Sequence, residues 1–155
     1  MSDIAAMDSA NDSDFIPQLR QQIDGLSAEQ VTTQYNPPEW TIAQNIHHLV
    51  DLHINSYIRF KLILTEDNAA IRPYDQDLFA ELADAKDAHI EDSLLILQGL
   101  HIRWSRMLDN ITDWDKAGYH PELEQPVTLY DLLVVYSDHC HAHTKQIQAV
   151  LDKMA

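Results

Sequence analysis

LYDLLVVYSDHCHAHTKQIQAVL, residues 129 to 151, carries three histidines inside a helical pattern. At about 100° per residue, Leu129, Leu132, Leu133, Tyr136, Cys140, Ile147, Val150 and Leu151 share one arc, while Asp131, Asp138, Lys145 and Asp152 fall opposite. The stretch reads as one amphipathic helix with its stripe turned to a core. His139 and His143 lie on the apolar arc and His141 on the solvated side. An i, i+4 histidine pair brings two imidazoles near enough to grip one cation, the geometry of HxxxH zinc sites. Two core histidines hydrogen-bonded to their neighbours produce the same spacing, so the pair alone does not decide between the readings.

Working back from this helix, Thr128 is its N-cap, and Thr112 to Val127 reads as a loop. A helix is predicted over Ala88 to Asn110, with Leu94, Leu97, His101, Trp104, Leu108 and Ile111 on its inner face. Asp67 to Asp87 form a long connection, turning at Pro73-Tyr74-Asp75 and holding a short helix from Gln76 to Ala83 capped by Asp75. A crossover of this length lets the flanking helices run parallel. Thr41-Ile42-Ala43-Gln44 is a capping box that starts a helix running to about Thr65. Ile42, Ile46, Leu49, Val50, Tyr57, Phe60 and Leu64 form its apolar arc; His53 lies near the middle and His48 at the edge. Periodicity favours His53 as the buried one. His48 is flanked by Asn45, Asn55 and Arg59, a polar seam beside an apolar wall of the sort that lines ligand pockets. Ser27-Ala28-Glu29-Gln30 has capping-box form ahead of the break at Pro37-Pro38. The first helix is predicted from Asp14 to Asp24, with Phe15, Leu19 and Ile23 four apart and Gly25 as its stop. Residues 1–13 read as a mobile acidic tail, leaving one domain over 14–155. The fold class is all-α, a four-helix bundle with a long crossover between its second and third helices.

Composition supports this class: 45% of the 155 residues are hydrophobic, with only 3 glycines and 6 prolines. A formal charge of -15 repels phosphate backbones and anionic lipid, so neither nucleic acid nor membrane is an expected partner. A single cysteine excludes an intramolecular disulfide, and the acidic start MSDIAAMDSANDSD lacks the basic and apolar regions of a secretory signal. A cytoplasmic location is the expectation.

WTIAQNIHHLVDLHINSYIRFKLILTED from Trp40, then IRPYDQDLF, SLLILQGLHIRWSRML, HPE and YSDHCHAHTKQI together resemble the DinB/YfiT superfamily, and within it the YfiT branch of metal-dependent hydrolases and bacillithiol transferases. The match spans about Trp40 to Ile147. The resemblance implies a four-helix bundle with a long crossover, usually dimeric, holding one divalent metal, zinc or nickel, by three histidines. By the same resemblance the ligands are the second histidine of the HH pair, His48, and the HxxxH pair, His139 and His143. The last two agree with periodicity; the first does not, since periodicity preferred His53. Two positions depart from the pattern: Asp138 where relatives carry an aromatic residue, and Gln146 where they carry a histidine.

Three neutral imidazoles leave a coordination position open, the arrangement of a catalytic site. A hydrolase or isomerase using metal-bound water normally adds a general base, as in HExxH, but Cys140 follows His139 and no carboxylate shares the arc. A thiol needs only the metal for activation. The expectation is therefore a thiol S-transferase joining a low-molecular-weight thiol to an electrophilic small molecule. Asn55 and Arg59 are candidates for holding the thiol's carboxylates. A metal-dependent hydrolase or isomerase, or a non-catalytic dimeric stress-response or binding protein, are the alternatives. Cys140 reads as core packing, with a fourth-ligand or redox role as its other possibilities, and His101 as a packed or supporting histidine.

Overall fold

The computed structural model describes residues 14–154; the tail expectation for residues 1–13 lies outside them. Four long helices carry the architecture: α1 (residues 14–23), α3 (Ile42–Thr65), α5 (Ile90–Leu108) and α6 (Leu129–Met154). Short helices α2 (Ala28–Thr32) and α4 (Gln76–Ala80) and a 3-10 turn at Asp84–Lys86 fill the connections.

The helix starts follow local chemistry. In both Ser27-Gln30 and Thr41-Gln44 the capping hydroxyl accepts from the N3 amide, while the glutamine side chain accepts from the cap amide. Each satisfies two amides that a helix start leaves orphaned, worth about 1 kcal/mol per cap. Asp75 caps α4 through the Asp77 and Leu78 amides. The helix predicted to reach Ala83 ends at Ala80, and the 3-10 turn begins at Asp84. The Gln44 side chain donates to the Ala80 carbonyl at 2.9 Å, tying the crossover to the start of α3.

Side-chain contacts give the directions. His47 meets Ser93, His53 meets His101, and Tyr57 and Phe60 meet Trp104, so α5 runs parallel to α3 as the crossover length predicted. His48 meets His143 and Arg59 meets Tyr136, so α6 runs antiparallel to α3. Two apolar clusters result. One joins Phe15, Leu19, Ile42, Ile46, Leu49, Leu94, Leu97, Ile147 and Val150; the other joins Phe60, Ile63, Ile71, Trp104, Leu108, Leu129, Leu132 and Tyr136. Burying each large aliphatic or aromatic side chain contributes about 1.5 to 3 kcal/mol. His101 sits on α5 between Leu97 of the first cluster and Trp104 of the second, and His53 meets it at a tilt from α3.

The segment read as a loop from Thr112 to Val127 contains an antiparallel hairpin, β1 (Ala117–His120) with β2 (Gln125–Thr128). The crossover completes it: the Ile71 amide donates to the Tyr119 carbonyl and the Tyr119 amide to the Ala69 carbonyl, at 2.9 and 2.8 Å. That close approach requires glycine next to Tyr119, because a Cβ on Gly118 would stand 3.0 Å from both the Ala69 carbonyl oxygen and Ile63 Cγ1. Thr128 and Asp131 then cap α6 reciprocally.

Candidate metal centre

The adjacent histidines of α3 have opposite fates. His47 is held at both ring nitrogens, Nδ1 by the Ser93 hydroxyl at 2.7 Å and Nε2 by the Asp87 carbonyl at 2.9 Å. It borders a surface recess of about 520 Å³ lined by Asp51, Asp84, Asp87 and Asp92, and the three candidate ligands do not line that recess. His48, one residue on and so about 100° round the helix, points into the bundle. It is 2% exposed, and neither Nδ1 nor Nε2 has a hydrogen-bond partner among the described residues. A buried polar group without a partner costs about 1 to 3 kcal/mol, which native structures seldom carry without a reason.

The ring of His143 from α6 lies 4.5 Å from that of His48, centroid to centroid, and His139 stacks 6.0 Å from His143. Trp40, from the loop before α3, meets His48 edge-on at 4.9 Å and lies parallel to His143 at 5.9 Å. His143 is 4% exposed, His139 is half-buried and His141 is exposed. The Nδ1 of His139 approaches the Val135 carbonyl at 3.2 Å and that of His143 the Asn45 side-chain oxygen at 2.9 Å. Among the described residues no three His, Cys, Asp or Glu side chains stand so placed that together they could hold a metal ion. The donors that do gather are imidazoles, which suit zinc and nickel, and the orphaned nitrogens of His48, with no hydrogen bond to hold the ring, fit a missing positive partner.

Burial, reinforced by the neighbouring His143 and His139, pushes His48 down to about 3. Burial, reinforced by His139 and partly offset by a Gln146 hydrogen bond, lowers His143 to about 4. Both rings therefore stay neutral, with lone pairs available, well below pH 6. For the metal-free chain the sign is fixed: below an unfolded pKa of about 6.5 the unfolded state takes up protons that the folded state refuses. This contribution is fully present above pH 6.5 and is lost as pH falls toward 4 and then 3, at no more than about 1.4 kcal/mol per pH unit for each ring. The urea midpoint of chelator-treated protein should thus fall between pH 7.5 and pH 5, and His48→Gln should flatten the fall; an unchanged midpoint would contradict the assigned burial.

The other histidines and the cysteine form a separate group. His53, 2% exposed, bonds through Nδ1 to the Leu49 carbonyl, and its Nε2 lies 3.2 Å from Cys140 Sγ. His101 lies 4.7 Å from His53, tilted by 38°, and stacks on Phe15 at 5.6 Å. Periodicity was right that His53 is buried, yet the ring beside the HxxxH pair is His48. Asn55 donates to the Asp51 carbonyl, and Arg59 donates to the Arg72 carbonyl at 2.6 Å and to the Tyr136 hydroxyl at 3.3 Å. The Arg59 guanidinium also lies over Tyr74, whose hydroxyl burial pushes up to about 12. Eleven residues of helix separate Arg59 from His48, about 16 Å along the axis. Trp40 was not singled out by sequence, where an aromatic residue immediately ahead of a capping box was the available signal; Asn45 was read there as part of the polar seam beside His48, but not as the partner of His143.

Comparison with known proteins follows the same lines. YfiT of Bacillus subtilis, named as a candidate metal-dependent hydrolase, is 42% identical over 138 residues, 88% of this chain and 78% of its own length. A protein of Geobacillus thermodenitrificans with the same designation is 41% identical over 134 residues, covering 85% of this chain and 75% of its own. The solved structure of Bacillus subtilis YfiT, described as having an unusual four-helix bundle topology, superposes with a TM-score of 0.89 at 38% identity, over 97% of this chain and 86% of that one. With the family model matching residues 16–147, the chain belongs to the DinB superfamily.

Proposed function

We propose that the chain is a divalent-metal-dependent enzyme, one zinc or nickel ion per chain, with His48, His139 and His143 as ligands, and that it transfers a low-molecular-weight thiol to an electrophilic small molecule. The observation that carries this reading is His48: a buried imidazole with neither nitrogen partnered among the described residues, 4.5 Å from a second buried imidazole. A divalent ion held there by neutral imidazoles would supply a Lewis acid that lowers the pKa of bound water to about 7 or takes up a thiol as its thiolate. The chain's part is to keep the imidazoles neutral, which burial does for His48 and His143, and to shield them, which Trp40 does from one side. Half-buried His139 marks the side left toward solvent.

Thiol transfer is favoured over hydrolysis because, among the described residues, the charges that bear on His48 and His143 are other imidazoles rather than carboxylates. A hydrolase needs a general base there, and a thiol does not. Arg59 is positioned by Tyr136 and the Arg72 carbonyl, with Asn55 one turn nearer the histidines, as a candidate contact for the thiol's distal carboxylate. The second reading, a metal-dependent hydrolase, is favoured by the names of the relatives. No helix among the described residues is long and apolar enough to cross a membrane. A cytoplasmic homodimer that shuns polyanions, as the charge of -15 would make it, completes the proposal.

Zinc- or nickel-loaded protein should consume monochlorobimane or chlorodinitrobenzene only when a cysteinyl thiol from a panel is added, and chelation should abolish the rate. Metal-dependent turnover of p-nitrophenyl acetate without thiol would transfer the assignment to the hydrolase. Tight metal binding with no turnover in either assay would leave a binding protein.

A further inference from the structure

Asn45 has no exposed surface and both ends of its amide are engaged. Its Nδ2 donates to the Thr41 carbonyl at 3.0 Å and its Oδ1 faces His143 Nδ1 at 2.9 Å. The orientation is determined by chemistry as well as by placement. Turning the amide over would set Oδ1 against the Thr41 carbonyl oxygen, two acceptors in contact in a buried site. The Thr41 carbonyl is itself fixed, because Thr41 is locked by its capping box with Gln44 and also accepts the Asn45 backbone amide. The first turn of α3 is thus a rigid mount that presents a hydrogen-bond acceptor to a ring on α6. A neutral imidazole facing an acceptor must place its one proton there, so the lone pair sits on the other nitrogen.

We infer that Asn45 is a positioning residue: it fixes His143 as the Nδ1–H tautomer and commits Nε2 as the atom that meets the metal. Trp40 completes the constraint by lying within 9° of parallel to the His143 ring, so the amide sets the proton and the indole sets the plane. Outer partners of this kind hold a ligand's orientation and basicity, and their removal typically lowers metal affinity by about 10- to 100-fold. This inference rests on the metal-site reading above, but its first test needs no metal.

Long-range proton–nitrogen correlation on histidine-labelled, chelator-treated protein at pH 7.5 should show His143 protonated at Nδ1. In Asn45→Leu, which keeps the branched four-atom side chain in a bulkier form and removes the acceptor, the tautomer should shift toward a mixture, and zinc affinity measured by chelator competition should fall about 10- to 100-fold. Asn45→Asp keeps an acceptor toward His143 but adds a buried charge and sets an oxygen against the Thr41 carbonyl, so in folded protein it should hold the Nδ1–H form and bind zinc no more weakly than the parent. An Nε2–H ring in the parent chain, or unchanged zinc affinity in folded Asn45→Leu, would overturn the inference. If Asn45→Leu fails to fold by circular dichroism, the parent tautomer and the Asn45→Asp affinity decide it. Failure of the parent chain to bind zinc would overturn the metal-site reading and the ligand-atom assignment with it, while the correlation spectrum would still confirm or refute the tautomer.

Discussion

His48→Ala and His143→Ala should each lose the divalent ion on dialysis, while His141→Ala retains close to one per chain. Removing an outer partner of a metal ligand already costs about 10- to 100-fold in affinity, so deleting a ligand from a set of three should cost about 100-fold or more. His141 is the matched control: it lies on the same helix between the two α6 candidates, but it is exposed, and its neighbour Thr144 bonds only its backbone carbonyl. His47→Ala is the corresponding control on α3, since both its ring nitrogens are already committed to Ser93 and Asp87. Metal content by elemental analysis, with chelator competition for the affinities, reads all four variants. Equal losses in His48→Ala and His47→Ala would mean that the orphaned nitrogens of His48 have some other cause.

Much of the scaffold could be read locally. The capping boxes at Ser27 and Thr41 and the cap at Asp75 start helices where the sequence places them, because a cap is an interaction between residues two or three apart. The apolar arc of α6 likewise predicts that Tyr136, Cys140 and His143 turn inward, as they do. The hairpin was missed because its strands are four residues each and depend on Tyr119 bonding to Ala69 and Ile71, about fifty positions earlier. No window of local sequence contains that contact.

The site divides in the same way. A helical wheel sets both His48 and His53 near the inner face, and it cannot say what surroundings meet each of them. His53 is offered Cys140 and the Leu49 carbonyl, whereas His48 is offered His143 and Trp40. The family resemblance selected His48 where periodicity did not. Arg59 reads from sequence as a candidate for holding a carboxylate, yet its guanidinium is partly satisfied by the Arg72 carbonyl, which only the path of the crossover brings within reach.

That division predicts a contrast in stability. His53→Ala should destabilise the chelator-treated chain by about 3 kcal/mol, whereas His48→Ala should cost clearly less. Truncating His53 opens a cavity among Phe15, His101 and Trp104, and it strips partners from the Leu49 carbonyl and the Cys140 thiol. Cavity and lost hydrogen bonds then add in the same direction. Truncating His48 also opens a cavity, but it removes a buried ring whose two nitrogens are unsatisfied, and relief of that penalty offsets part of the packing loss. In metal-loaded protein the order should reverse. A bound ion adds its binding free energy to the parent and to His53→Ala, but only weakly to His48→Ala. Urea titrations of the three proteins, with zinc and with chelator, give the six midpoints needed. A single order under both conditions would mean that His48 and His53 are both structural, and the proposed metal centre would lose its α3 ligand.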